Sequence, residues 1–107
     1  MQSRGDILDT AKKYITKDRA DAHGDLETNF ATIAAYWSAH LETPVTSTDV
    51  AIMMGLVKIA RLKFKPNNMD NWIDGCGYLA CGAEIVGVNN AKPGPCYQQK
   101  AATDISV

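Results

Sequence analysis

The stretch Val50 to Leu62 decides the fold, and it reads Val-Ala-Ile-Met-Met-Gly-Leu-Val-Lys-Ile-Ala-Arg-Leu. Only Gly55, Lys58 and Arg61 interrupt its apolar side chains. A helix that is apolar on all sides is typical of the centre of a helical bundle. Thirteen residues are too few to cross a bilayer, which needs about 20. We therefore expect this helix to be buried among other helices.

Two cations on this central helix require an explanation. Lys58 and Arg61 are three residues apart and occupy neighbouring positions on one face. Burying a cation is costly unless an anion pairs with it. The sequence leaves two kinds of partner open. Carboxylates of the same chain, Asp70 and Asp74, would merely tie two helices together, whereas a phosphate would belong to a ligand.

The composition limits the class of protein. The chain has 107 residues, of which 46% are hydrophobic and 21% charged, as in one ordinary globular domain. Its net charge of −1 argues against binding of polymeric nucleic acid, which depends on neutralising phosphates. Cys76 and Cys81 would point about 140° apart on one helix, which indicates reduced thiols. With no apolar signal region or membrane span, we expect a cytoplasmic protein without membrane contact.

Apolar residues recur at helical spacing on both sides of the central stretch. They predict helices over residues 5–16, over residues 26–41, from a cap at Ser47 or Thr48 to about residue 64, and from residue 69 or 70 to about residue 86. Gly87 is expected to end the last helix. The predicted fold class is therefore all-α, a compact bundle of about four helices spanning residues 1–87. Residues 88–107 are interpreted as a poorly structured, flexible tail.

The fourth predicted helix is unusually rich in small residues. Gly75, Gly77 and Gly82 would each cost about 1 kcal/mol relative to alanine in a helix. Close approach by another helix or by a ligand would compensate for this cost. Because one bundle does not require so much small-residue surface, we also expect self-association into a homo-oligomer through this helix.

Polar residues without an evident structural role are candidates for ligand binding. They form three groups: Arg19, His23 and Asn29 around the first loop; Lys58 and Arg61 on the central helix; and Asp70, Asn71, Asp74 and Tyr78 on the last helix. Charged loops next to a glycine are often binding elements, although a solvated connector explains the first loop equally well. With two histidines and no Cys-x-x-Cys, a zinc site is not expected.

Several short motifs follow one another along residues 5–87. They are Arg19-x-x-x-His23-Gly24, Asn29-Phe30, Ile33-Ala34-x-x-Trp37, Asp49-Val50-Ala51-x-Met53-Met54, Lys58-x-Ala60-Arg61, Asp70-Asn71-x-x-Asp74 and Gly77-Tyr78. In this order they resemble small phage and prophage proteins related to MazG-like nucleotide pyrophosphohydrolases, many of which have no assigned function. The resemblance implies an all-α fold, a phage origin and hence the host cytoplasm, and a small phosphorylated ligand: a nucleotide, linear or cyclic.

The chain departs from the enzymes of that group at their metal site. MazG-like pyrophosphohydrolases resemble one another in a Glu-x-x-Glu followed by a Glu-x-x-Asp, whose carboxylates hold magnesium. This chain contains no Glu-x-x-Glu. The resemblance therefore implies a binder without catalysis and without a cofactor, which sequesters a nucleotide second messenger in the manner of an anti-defence sponge.

The binding hypothesis assigns roles to the candidates. Arg61 and Lys58 would contact phosphates; Asp70, Asn71 or Asp74 would take base or ribose groups; and Tyr78 or His23 would stack or donate. Two alternatives remain open. One is a magnesium-dependent nucleotide pyrophosphohydrolase in which Asp70, Asp74 and Glu84 form a smaller set of magnesium ligands. The other is a structural helical oligomer whose glycine-rich face binds protein.

Overall fold

A computed structural model describes residues 2–18 and 26–91. Four α-helices span α1 (Arg4–Lys13), α2 (Leu26–Leu41), α3 (Ser47–Phe64) and α4 (Met69–Ala91), and α1 continues into a π-helical turn at Tyr14–Asp18. These residues include no strand, so the predicted all-α bundle is confirmed. None of the described helices is both long and apolar enough to cross a membrane.

Two helices begin with the same arrangement of hydrogen bonds, a capping box. At the start of α3, Thr46 Oγ1 accepts from the Asp49 N–H at 3.1 Å, and the Asp49 carboxylate accepts from the Thr46 N–H at 2.9 Å. Ser3 and Asp6 form the equivalent pair before α1. These bonds satisfy donors that the first helical turn leaves free. The sequence predicts a cap at Ser47 or Thr48, one or two residues after the observed cap at Thr46. The prediction is off because all three residues are of types that often cap helices.

The connection between α2 and α3 is short and firmly held. Glu42 adopts a left-handed backbone conformation (φ 55°) directly after the end of α2. The Ser38 hydroxyl accepts from the Val45 N–H at 2.8 Å and donates to the Val45 carbonyl at 3.2 Å. This clamp reverses the chain and places α3 beside α2.

The glycines of α4 mark where other helices approach it. A Cβ at Gly82 would lie 3.0 Å from Ala51 Cβ on α3. A Cβ at Gly77 would lie equally close to Ile15 Cγ2 in the π-helical turn. The predicted close approach is therefore confirmed, and it is made within the chain.

The end of α4 differs from the prediction. Gly87 lies inside the helix, which continues to Ala91, because a glycine in a helix interior costs only about 1 kcal/mol and ends nothing by itself. Residues 88–91 of the expected tail thus belong to α4, and residues 92–107 lie outside the described part of the chain.

The core lies where α2, α3 and α4 meet. Its fully buried apolar members are Phe30, Ala34, Val50, Ala51, Cys81 and Ile85. The prediction that α3 is buried on all sides is wrong. Helices α2 and α4 cover only the side that carries Val50, Ala51 and Gly55, whereas Ile52 and Leu56 on the opposite side are 48% and 56% exposed. Among the described residues, no third layer covers that side.

Candidate ligand-binding site

A cavity of about 330 Å³ opens beside the core, between α1 with its π-helical turn, α2 and α4. This volume falls within the range of small-molecule sites, about 300–1,000 Å³. The cavity is lined mainly by apolar and aromatic side chains and by a few polar ones: Ala11, Tyr14, Ile15, Leu26, Asn29, Phe30, Ile33, Met54, Ile73, Asp74, Gly77, Tyr78 and Cys81.

Helix α4 supplies one wall of this cavity. Asp74, Tyr78 and Cys81 follow each other at i, i+4 and i+7, so they share one helix face. Gly77 lies between them and, having no side chain, allows Ile15 to come within contact of the helix backbone. The π-helical turn that carries Ile15 can therefore form the adjoining wall. Single π-helical turns occur frequently at functional sites.

Two aromatic rings stand next to each other in the lining. The centroids of Phe30 and Tyr78 are 6.2 Å apart and their planes are inclined by 32°. Phe30 is buried in the core and Tyr78 is half-buried against it. Rigid aromatic walls of this kind favour a flat, unsaturated ligand, because such a ligand can stack on a ring face.

Polar groups reach the cavity from α2 and α4. The Asn29 side chain offers both a donor and an acceptor. The Asp74 carboxylate also lines the cavity, and its Oδ2 lies 3.3 Å from Lys58 Nζ, with both side chains about 85% buried. The ion pair that the sequence left open as a structural alternative is therefore present between Lys58 and Asp74. Asp74 nevertheless remains part of the cavity lining.

Cys81 belongs to the core and also lines the cavity. Burial, and secondarily the negative charge of Glu84, raise the pKa of its thiol. The thiol is therefore neutral near pH 7 and a weak nucleophile. Cys76 and Cys81 are not joined by a disulfide.

Three of the predicted site residues lie away from the cavity. Arg61 is exposed: it follows Lys58 by three residues, which turns its side chain about 60° away from α4 and towards water. Asp70 is exposed and Asn71 is buried, but both belong to the first turn of α4, before the segment that lines the cavity. The expectation of a partly buried Arg61 is therefore wrong.

The remaining predicted site residues lie at the cavity, next to it or outside the described part of the chain. Asn29, Asp74 and Tyr78 come together at the cavity, and Lys58 adjoins it through its ion pair. Arg19 and His23 lie outside the described residues. Within the described part of the chain, no group of three His, Cys, Asp or Glu side chains is arranged to hold a metal ion.

Several lining residues were not among the sequence-based candidates. Tyr14, Phe30 and Cys81 look like core residues in the sequence, because apolar periodicity does not distinguish a filled core from the wall of a cavity. The i, i+4, i+7 spacing of Asp74, Tyr78 and Cys81 was the available signal. Nothing local in the sequence indicates the π-helical turn.

Comparison with known proteins places the chain among proteins without an assigned activity. It is 37% identical over 79 residues to the Gene 55 protein of Mycobacterium phage D29, covering 74% of this chain and 52% of that protein. It is 40% identical over 73 residues to the Gene 55 protein of Mycobacterium phage L5, covering 67% and 47% respectively. The chain thus spans about half the length of these relatives. No solved structure matches it. Residues 6–86 match the family described as a domain of unknown function (DUF6378), and the chain belongs to that family.

Proposed function

We propose that the protein binds a nucleotide through its base in the cavity between α1, α2 and α4, and sequesters it without converting it. The observation that carries this proposal is the composition of the cavity wall. The rings of Phe30 and Tyr78 stand beside the polar side chains of Asn29 and Asp74 in an otherwise apolar space. A nucleobase has the same division, with flat apolar faces and a polar edge.

Each side chain has a role in this proposal. Tyr78 stacks on the base, an interaction worth about 1–3 kcal/mol in other nucleic-acid binders. The Asn29 amide pairs with the base edge, since it matches a donor and an acceptor at once. Asp74 accepts from an amino group or a ribose hydroxyl, and Lys58 beside it attracts the phosphate. Arg61 has no role here because it lies outside the cavity.

Sequestration without catalysis is supported by the sequence and by the relatives. The Glu-x-x-Glu of MazG-like pyrophosphohydrolases is absent from this chain. The D29 and L5 relatives are phage proteins, which supports a phage origin and, with it, capture of a nucleotide signal of the host. The link to MazG-like proteins and to a sponge is part of the proposal and rests on the resemblance of the motifs.

Calorimetry with a panel of nucleosides and of mono-, di- and cyclic nucleotides tests the proposal. At least one member should bind the parent protein. Asn29→Leu keeps a similar volume but leaves the base edge unpaired, which costs about 1–3 kcal/mol, so affinity should fall about five- to a hundredfold. Thr32→Leu is the matched control, because Thr32 is an exposed polar residue of α2 outside the cavity, and its affinity should equal that of the parent.

Two results would overturn the proposal. One is the absence of binding by the whole panel at millimolar concentration. The other is equal binding by the parent and Asn29→Leu, which would place the ligand elsewhere.

Adding EDTA tests whether binding requires a metal ion, and the affinity should stay unchanged. Magnesium-dependent release of pyrophosphate from a nucleoside triphosphate would favour the enzyme alternative.

A further inference from the structure

The side of α3 that faces away from the core carries an exposed apolar stripe. Ile52, Leu56 and Ile59 are 48%, 56% and 58% exposed, although each is a large hydrophobic residue. With Asp49 before them and Lys63 after them, they are spaced by three, four, three and four residues. We call these five residues the α3 outer stripe. This alternating spacing is the one by which two helices pack lengthwise against each other.

Neighbouring side chains widen this surface. Met53 and Val57 of α3 are 37% and 39% exposed and lie along one flank of the stripe. On the other flank, Leu79 of α4 is 59% exposed and reaches over Gly55, with its Cδ2 3.7 Å from where a Cβ would stand. Contiguous apolar surface of this kind on a domain with an ordinary charged exterior marks an interaction site.

The charges of the stripe identify the partner. Leu56 is the midpoint of the stripe, since Asp49 precedes it and Lys63 follows it by seven residues each, about 10 Å along the helix. When two copies of α3 pack antiparallel about Leu56, Asp49 of each copy faces Lys63 of the other. A parallel arrangement would instead oppose like charges at both ends. Asp49 and Lys63 are exposed, and the capping box uses only Oδ2 of the Asp49 carboxylate, so Oδ1 is available for this contact.

We propose that the protein is a homodimer in which the α3 outer stripes of two copies pack antiparallel across a two-fold axis at Leu56. This surface differs from the one that the sequence suggests. Gly82 and Gly77 of α4 are occupied by contacts with Ala51 and Ile15 of the same chain, whereas α3 retains an exposed apolar face. The interface is isologous, as is usual for homodimers.

The dimer leaves the ligand cavity open. Met54, the residue of α3 that lines the cavity, precedes Leu56 by two residues and therefore points about 160° away from it. The two cavities consequently face outwards on opposite sides of the dimer. Failure of the dimer proposal would thus leave the proposed ligand site untouched, and the reverse also holds.

Light scattering after gel filtration tests the surface. The parent should have twice the chain mass of 11.6 kDa at tens of micromolar, and Leu56→Arg should have the monomer mass. Leu8→Arg is the matched control: Leu8 is 58% exposed on α1, which packs on α4, so this variant should stay dimeric. Circular dichroism should show unchanged helix content in both variants, because both sites are exposed.

A charge exchange tests the orientation. Asp49→Lys and Lys63→Glu should each weaken the dimer, because each brings like charges together at both ends. Asp49→Lys also removes the capping box of α3, a loss that mixing cannot restore, so recovery of the dimer in the mixture reports on the charges alone. Mixed in equal amounts, the two variants should form a heterodimer in which both ends are again complementary. A dimeric Leu56→Arg, or a mixture that associates no better than either variant alone, would overturn the proposal. So would a monomeric parent whose melting temperature falls with Leu56→Arg, since another part of the same chain would then cover the stripe.

Discussion

At the scale of single residues, Lys58 shows how a cation is held beside an apolar helix. Its Cβ passes 3.8 Å from where a Gly75 Cβ would stand, and its ammonium group reaches Asp74. Lys58→Met keeps the apolar stem and removes the charge. Because Asp74 has a further interaction, the expected loss of stability is about 1–3 kcal/mol rather than that of a fully stranded charge. Urea unfolding measures the difference.

Arg61→Met is the matched control for this substitution. Arg61 is exposed on the same helix, so its replacement should change the stability by no more than about 0.5 kcal/mol. Equal destabilisation by the two variants would contradict the account, since it would mean that both cations are held by buried partners. The sequence shows that the two cations lie close together on one helix. It does not show that the 60° between them is enough to leave Lys58 beside α4 and Arg61 in water. That distinction depends on which neighbouring helix covers which side.

Cys81 predicts a pH dependence of stability. The folded protein raises the pKa of this thiol above its ordinary value of 9.0, so folding favours the protonated form. The corresponding stability is fully present below that value and is lost as the pH rises above it. Unfolding free energies of the parent and of Cys81→Ala, measured from pH 7 to pH 10, should converge as the pH rises. Parallel curves would contradict the burial of an ionisable thiol at this position.

At the scale of helices, the sequence predicts correctly that four helices are present, but it predicts their first and last residues less well. All four helices are found, because each carries a long apolar repeat. The start of α3 is misplaced because Thr46 and the two residues after it are equivalent by type, and only the three-residue spacing to Asp49 selects one. The end of α4 is misplaced because Gly87 resembles a helix stop although the helix continues past it.

Two glycines of α4 make a matched test of packing. Gly82→Ala would set a Cβ 3.0 Å from Ala51 Cβ, which is attached to backbone and yields only if the helices separate. Gly87→Ala meets nothing within 4 Å. Both gain about 1 kcal/mol of helix propensity, but overpacking costs the first about 1–3 kcal/mol. In thermal unfolding, Gly87→Ala should therefore be more stable than the parent. Gly82→Ala should be less stable than Gly87→Ala by about 1–3 kcal/mol. Equal stabilisation by both would mean that α3 and α4 are not in close contact.

At the scale of the whole molecule, the sequence predicts the bundle but not what covers it. The apolar pattern of α3 predicts burial on every side, but α2 and α4 cover only one side of it. It cannot distinguish burial within one chain from burial between two, because both require the same residues. The exposed Ile52, Leu56 and Ile59 are the part of that pattern which residues 2–18 and 26–91 leave uncovered.

The cavity is likewise a property of the assembled fold. Its lining comes from all four helices and the π-helical turn, and most of it is apolar. Asn29, Asp74 and Tyr78 can be recognised as candidates from the sequence, because they are polar residues on otherwise apolar faces. Tyr14 and Phe30 have no such mark in the sequence, because the distance between the helices decides whether an aromatic residue fills a space or borders a cavity.

A titration followed by amide chemical shifts would show whether a nucleotide binds in this cavity. The ligand with the highest affinity in the calorimetric panel would be added to the isotope-labelled protein. We expect the largest shifts on the amides of Asn29, Asp74, Gly77 and Tyr78. Those of the α3 outer stripe should stay in place. Shifts confined to that stripe or to the exposed residues around Arg61, or the absence of any shift at saturating ligand, would contradict the account.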